Sequence, residues 1–287
     1  MAGELVGAPG TLYIVATPLG NLGDLSARAA EILRTVPVVA AEDTRVTRGL
    51  LTHLGARPRL LALHQHSGAD RVAQVVDRLA AGEDIAYVTD AGTPGVSDPG
   101  PVLVAAVRAR GLLVVPIPGP SAVATALSAS GLPADQYLFL GFPPRRGPER
   151  DRWLRRATTP GITVVCFEAP GRVEELLTDL AAGGHGERPV CVARELTKLH
   201  EEFRVGTLTA LAAQFTVEPP PKGEVTLVLG PLPERATGGA DADAARALAQ
   251  ELLAAGRSTR DVIREVTDRT GLPRNTVYDL VTHLAKR

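Results

Sequence analysis

The sequence predicts an α/β protein: two α/β domains followed by a small helical module. Three observations predict it. Short apolar runs of strand character alternate with Ala- and Leu-rich stretches of helical period over most of the chain. The apolar runs scarcely alternate with polar residues, as in strands covered on both faces. Near residue 232 this pattern stops, and a small-polar run leads into three helical stretches. Hydrophobic residues make up 45% of the 287, which excludes a disordered chain, while aromatics at 3% leave the core to Ala, Val and Leu.

Residues 12–17 (LYIVAT) read as the first strand and 24–34 as a helix. Strands follow at 36–41 and 60–64. Then come a helix at 71–81 with Asp70 as its cap, a strand at 85–89, a helix at 101–110 and a strand at 112–117. Such repeated βα units specify a mostly parallel, doubly wound sheet over a first domain, residues 1–120. The pattern resets at Ser121. A helix at 122–130, a strand at 137–140, a basic helix at 149–156, a strand at 163–167, a helix at 173–182 and strands at 190–193 and 225–229 predict a second α/β domain, residues 121–232. Pro231, Pro233 and the small-polar run 236–243 form a linker. Beyond it, 244–255, 258–270 and 273–285 predict three helices in a module of residues 242–287, with Ser258 and Asn275 as caps and Gly256 and Gly271 at the stops. Charges in this module nearly cancel, so it reads as a packing appendage before a nucleic-acid reader.

Lys and Arg total 31 against 32 Asp and Glu, a net charge of −1, so a polyanion partner must be held by a local patch. Cys166 and Cys191 stand far apart without a CxxC, which argues against a disulfide framework or a structural zinc site. The start lacks a basic-then-apolar segment, and no apolar run reaches 18 residues. The expectation is a cytoplasmic protein without a membrane partner.

Ligands of open parallel sheets bind beyond the carboxyl ends of the strands. Three unusual turns leave strands at that edge. The first, residues 17–24, has neither the GxGxxG spacing nor a Lys-Ser/Thr pair, so dinucleotide and P-loop fingerprints are both absent. The second, residues 89–100, holds Gly92, Gly95, Gly100, Pro94, Pro99, Asp90 and Asp98, too specialised for a connector. Asp90 ends a buried strand, which aims its carboxylate into the crevice. The third, residues 116–122, is a rigid strand-to-helix corner whose helix start presents free N–H groups. Three such turns at one edge point to a small-molecule site.

The segments TPLGNLGDLSARAAEIL, AEDTR, TDAGTPGVSDPG, PGPSA, ARELTK and KGE, in this order, resemble the ribosomal RNA small subunit methyltransferase I family, of the tetrapyrrole methylase (class III methyltransferase) superfamily. The resemblance covers about residues 10 to 230 and extends to the helical tail. It implies two α/β domains of the tetrapyrrole methylase type with S-adenosylmethionine folded into the cleft between them, and a homodimer. The implied activity is 2′-O-methylation of a cytidine in the decoding region of 16S ribosomal RNA, with the assembled 30S subunit as substrate. On this resemblance Pro18, Asp90, Gly92, Thr93, Pro94, Ser97, Ser121 and Ala122 line the cofactor pocket from the first domain, and Phe167, Ala193 and Gly223 close it from the second. The rival within the superfamily is a tetrapyrrole (precorrin-type) C-methyltransferase, and from another class a non-catalytic nucleic-acid-binding regulator using the C-terminal helices.

Methyl transfer to a ribose hydroxyl asks for alignment and for an acceptor of the hydroxyl proton, and it requires no metal. Candidate acceptors are His64 and His66, Glu42 and Asp43, and Glu195, with Arg45 beside the acidic pair. His64 and His66 share a face if their strand persists, and a structural role is equally open to them. Glu42, Asp43 and Arg45 also fit a helix cap with a local ion pair, but the family motif favours function. Lys198, in ARELTK, and Lys222, beside Gly223, are candidate phosphate contacts. Residues 143–156 (PPRRGPERDRWLRR) carry six arginines against two acids with Trp153 interleaved. Arg145, Arg146, Arg152 and Arg155 are therefore expected to meet RNA phosphates, and Trp153 to stack on a base unless it faces the core.

Overall fold

The computed structural model describes residues 8–64, 69–219, 222–233, 239–270, 272 and 274–285. The chain divides into two compact units, residues 1–232 and 233–287. The first unit holds both sheets.

The first sheet comprises β1 (Thr11–Val15), β2 (Val38–Ala41), β3 (Arg59–Ala62), β4 (Ile85–Val88) and β5 (Leu113–Ile117), in the spatial order β3-β2-β4-β1-β5 and parallel throughout. Between the strands run α1 (Ala27–Thr35), α2 (Thr44–His53), α3 (Ala69–Ala80) and α4 (Gly100–Ala109). Every residue of β2 and β4 is buried, because α1 and α2 cover one face of the sheet while α3 and α4 cover the other. Neighbours in β1 divide accordingly: Leu12 joins the α3–α4 core and Val15 the α1–α2 core.

Two starts differ from the sequence reading. A single 3₁₀ turn, Leu22–Asp24, precedes α1, whose cap is Ser26, accepting from the Ala29 amide at 3.1 Å. Asp70 lies inside the first turn of α3, where its charge meets the positive end of the helix dipole. The helix α2 is read from the sequence only as a cap with a local ion pair at residues 42–45, which Asp43 and Arg45 form; TRVTRGLLTH is poor in strong helix formers, and packing of Leu51 holds the rest.

The second sheet is built from β6 (Tyr137–Phe139), β7 (Thr163–Glu168), β8 (Pro189–Arg194), β9 (Glu202–Thr207) and β10 (Val225–Leu229), ordered β6-β7-β10-β8-β9. Only β6 and β7 run parallel; the other pairs are antiparallel. On one face, α5 (Ala122–Ser130) packs Val123, Ala126 and Leu127 against Val165, Cys191 and Val228. On the other lie α6 (Pro148–Ala157), α7 (Val173–Leu180) and α8 (Leu208–Val217). Trp153 on α6 is 6% exposed, and its indole N–H donates to the Leu140 carbonyl at 3.0 Å. This corrects the stacking expectation: the Trp153 ring is part of the core. Arg150 is likewise internal, bonded to Asp179 at 2.6 and 2.9 Å.

The second unit consists of α9 (Gly239–Ala254), α10 (Thr259–Thr270) and α11 (Arg274–Ala285). Ala245, Ala249, Val262, Val266, Val277 and Val281 form its core. Ser258 caps α10, accepting from the Asp261 amide at 3.2 Å, and Gly256 turns the chain before it at φ +76°. Asn275 sits within α11 rather than ahead of it, and Gly271 lies outside the described residues. Among the described residues, no helix is long and apolar enough to cross a membrane, and no His, Cys, Asp and Glu cluster suits a metal ion.

Candidate functional site

The three turns predicted at the sheet edge are tied together by their own backbone. Thr17 and Gly92 exchange amide-to-carbonyl bonds of 3.0 and 3.1 Å, and the Thr17 hydroxyl donates to the Thr89 carbonyl at 3.2 Å. The third turn joins through the Thr93 hydroxyl, which donates to the Pro120 carbonyl at 2.8 Å. Gly92, at φ +80°, takes the left-handed geometry that lets Leu19 and the Pro120 carbonyl crowd against it.

Two carboxylates organise the first-half loops. Asp98 accepts from the Gly95, Val96 and Gly100 amides at 2.5, 2.8 and 2.7 Å, and from the Tyr87 hydroxyl at 3.3 Å. Ser97, within that wrap, is held at φ +66°, a geometry that strains a residue with a Cβ. Asp90 accepts from the Asp43 amide at 2.9 Å and so fixes the start of α2. Asp43 itself caps α2 through the Arg45 amide and binds the Arg45 guanidinium, which lowers its pKa to about 2.

In the second half, Glu195 and Glu224 clasp two loops. The Glu195 amide donates to the Glu224 carbonyl at 2.9 Å, and the Glu224 amide to Glu195 Oε1 at 3.0 Å. Lys198 Nζ bridges both carboxylates at 2.8 and 3.0 Å. Its hydrogen bond to Lys198 holds Glu195 below the usual carboxylate range. A side chain at Gly223 (φ +96°) would overlap the Glu195 carboxyl, and one at Gly20 would overlap the Lys198 stem. The first turn of one half therefore packs directly on a loop of the other.

A cleft of about 340 Å³ lies between these loops. Leu19, Ala122, Phe142, Phe167 and Leu196 supply its apolar wall, with Phe167 packed edge-on to Phe139 at 5.0 Å between ring centres. Glu42, Asp90, Asp98, Glu168 and Glu224 also line it, and no Lys, Arg or His does among the described residues. Burial raises the pKa of Glu42, and Asp90 and Asp98 add to the effect. Glu168 is raised by burial as well, although Arg172 pairs with it at 3.0 Å.

Of the residues singled out in the sequence, Glu42, Asp90, Ser97, Ala122, Phe167 and Gly223 line the cleft. Gly92 and Thr93 brace its loops, Pro94 continues that turn, and Ser121 stands at the N-terminus of α5. Ala193 is fully buried in the core that also contains Val123 and Phe167. Pro18 borders a neighbouring groove. Asp43 pairs with Arg45, and Glu195 with Lys198, outside the lining. His64 is exposed just beyond β3 and does not line the cleft; His66 lies outside the described residues. Arg145, Arg146, Arg152, Arg155 and Lys222 are exposed. Sequence reasoning missed Leu19, Phe142, Glu168, Leu196 and Glu224 as lining. Glu168 carried a usable signal, being an acid that ends a buried strand as Asp90 follows one.

Comparison with known proteins adds an independent finding. A profile of the Tetrapyrrole (Corrin/Porphyrin) Methylases matches residues 11–212. The chain is 45% identical over 282 residues to the Ribosomal RNA small subunit methyltransferase I of Xylella fastidiosa, covering 94% of this chain and 98% of that protein. It is 42% identical over 276 residues to the protein of that name from Synechocystis, covering 96% and 98%. Among solved structures, the uroporphyrin-III C-methyltransferase of Thermus thermophilus complexed with S-adenyl homocysteine superposes with a TM-score of 0.53 at 21% identity, over 77% of this chain and 92% of that one. This last likeness concerns the fold.

Proposed function

The chain belongs to the ribosomal RNA small subunit methyltransferase I family, within the tetrapyrrole methylases, and on that premise we propose that it transfers a methyl group from S-adenosylmethionine to the 2′-oxygen of a cytidine ribose in the decoding region of 16S ribosomal RNA. The observation that carries the reading is the 45% identity over nearly the full length to a relative of that name, in a chain whose AEDTR and TDAGTPGVSDPG segments contribute Glu42, Asp90 and Asp98 to its acidic cleft. In the same reading the substrate is the assembled 30S subunit, and the enzyme works in the cytoplasm as a homodimer.

The cleft fits the cofactor. Its carboxylates suit a ligand bearing sulfonium and ammonium charge, and its aliphatic and aromatic wall suits an adenosyl group. S-adenosylmethionine supplies, when bound, a methyl group that the sulfonium has already made electrophilic. The protein's part is to hold the ribose oxygen in line and to take its proton. Glu42 is the acceptor the surroundings favour: it lines the cleft, and its raised pKa makes it a stronger base than an ordinary carboxylate. Asp43 and Glu195 are weakened by Arg45 and Lys198. Exposed Arg145, Arg146, Arg152 and Arg155 hold RNA phosphates.

The test compares ribose methylation of small-subunit ribosomal RNA in a strain lacking the gene, with and without this protein supplied. Restored methylation is expected, and unchanged methylation removes the reading. Labelled cofactor offered with a uroporphyrinogen-type substrate separates the tetrapyrrole alternative.

A further inference from the structure

The cleft has an aromatic lip that a cofactor does not account for. Phe142 lines it yet is 58% exposed, and Val96, from the first half, lines it at 36%. A bound small molecule gives up about 70–90% of its own surface to its pocket. An adenosyl group therefore belongs with the walls already withdrawn from water, Phe167, Leu196 and Ala122, and a ring more than half in solvent stands outside it.

The segment that carries Phe142 is fixed. The Leu140 carbonyl accepts from the Trp153 indole at 3.0 Å and the Gly141 carbonyl from the Phe167 amide at 3.0 Å. The Pro143 carbonyl accepts from Arg172 at 2.9 Å and the Pro144 carbonyl from Arg150 at 3.0 Å, and each proline holds its own φ. Gly141, at φ +59°, runs beside the loop of the first half, where a Cβ on it would stand 3.8 Å from Ser97 Oγ. Phe142 leans on Phe167 at 5.5 Å between ring centres, tilted by 58°. A ring kept in water on so rigid a segment has little conformational freedom left to lose when a partner stacks on it.

Charge selects that partner. Glu42, Asp90 and Asp98 line the cleft and disfavour a phosphate inside it. Arg145 and Arg146 follow Phe142 by three and four residues, both exposed and neither in an ion pair among the described residues. Extended chain of that length reaches at most about 14 Å. A nucleotide within an RNA strand matches this division, with an uncharged flat base for the ring and anionic groups on either side for the arginines.

We propose that Phe142 is the platform on which the target base of the RNA stacks, splayed from its neighbours at the mouth of the cleft, so that its ribose enters toward Glu42 while the flanking phosphates stay outside with Arg145 and Arg146. The proposal rests on the RNA-methylation reading above and gives that reading its base subsite.

Phe142→Ala, Phe142→Leu and Phe142→Tyr test it at a position exposed enough to change without loss of the core. Unmodified small subunits serve as substrate, and S-adenosylhomocysteine is titrated by calorimetry as the cofactor-site probe. Stacking on an aromatic side chain is worth about 1–3 kcal/mol per base, so Phe142→Ala is expected to raise KM for subunits by about 5–150-fold while Kd for the probe stays within about twofold. Phe142→Leu, which keeps apolar bulk without a ring, is expected to lose as much, and Phe142→Tyr to recover most of it. Parental KM in Phe142→Ala overturns the assignment, and so does a loss that Phe142→Leu recovers, which needs no stacking. An equal loss of probe affinity also overturns it, because the ring then belongs to the cofactor. A parent protein that methylates no subunit overturns the underlying reading, and the platform with it.

Discussion

Replacing Asp98 by alanine removes one side chain and releases four donors. Of these, the Gly100 amide opens α4, where Pro99 as N-cap offers no side-chain bond, so Asp98 acts as the cap. Loss of such a cap costs about 1 kcal/mol. The Tyr87 hydroxyl belongs to a residue with 0% exposure, and stranding a buried donor costs about 1–3 kcal/mol, the low end applying to a 3.3 Å bond. The Gly95 and Val96 amides reach water, so their loss adds about 0.5 kcal/mol or less each to the cost. A total near 3 kcal/mol lowers Tm by about 6–12 °C in a unit of this size. Differential scanning calorimetry measures that shift, and titration with S-adenosylhomocysteine measures the loss of the ordered 95–100 loop as at least a tenfold weaker Kd. Tyr87→Phe supplies the internal control: in that background Asp98→Ala is expected to cost about 1 kcal/mol less, since no hydroxyl is stranded. An Asp98→Ala protein with parental Tm and parental affinity refutes the assignment of Asp98 as the organiser of this loop.

Glu42→Gln is expected to lower kcat by roughly 10²–10⁴ with cofactor affinity nearly unchanged, and to abolish a parental rise of rate with pH through the raised Glu42 pKa. The same shift has a stability consequence. A carboxyl raised by the fold contributes stability that is complete below its ordinary pKa and is lost as pH rises through the raised one, so the Gln variant should melt higher than the parent at pH 8 and equally at pH 4. Arg152→Ala, at an exposed position paired with Glu149 only at 3.8 Å, should weaken RNA binding and flatten the salt dependence of log K by about 0.7 for a lost phosphate contact. Trp153→Ala should instead cost about 3–5 kcal/mol of stability, read by denaturant titration, and leave the salt slope intact.

The first sheet was legible because its strands are buried on both faces and its helices follow at short, punctuated intervals. Val38–Ala41 and Ile85–Val88 announce themselves as unbroken apolar runs. Of the elements that escaped reading, β9 and α8, the strand lacks that contrast. Glu202–Thr207 is an edge strand with charge on it, held by pairing to β8 rather than by burial, and Val205 is 59% exposed. At the site, turn chemistry was readable at Asp90 and Gly223 because glycine, proline and acid cluster there, while Ser97 was named only through the family resemblance. Phe142 and Leu196 were not, since a single apolar residue acquires a role only from the loop that packs opposite it. Trp153 shows the converse: a charged segment hides a core anchor whose inward face no local count of arginines reveals.

Charge is separated along this chain more sharply than its net value of −1 suggests. Five carboxylates line the cleft and, among the described residues, no Lys, Arg or His does; Arg172 and Lys198 offset Glu168 and Glu224, and the remaining Glu42, Asp90 and Asp98 favour a cationic donor and disfavour a phosphate chain. An enzyme acting on RNA with such a cleft must grip the backbone elsewhere and deliver only a nucleoside. The connectivity provides for this. Phe142 lines the cleft, and Arg145 and Arg146 follow within four residues, a reach of at most about 14 Å for extended chain. The Pro143 carbonyl is pinned by Arg172 at 2.9 Å, and Arg172 in turn holds the cleft carboxylate Glu168. One arginine thus fixes the basic loop and an acid of the cleft in a single arrangement. On the proposed RNA-methylation reading, the grip on phosphate is thereby held at a set distance from the methyl-transfer site.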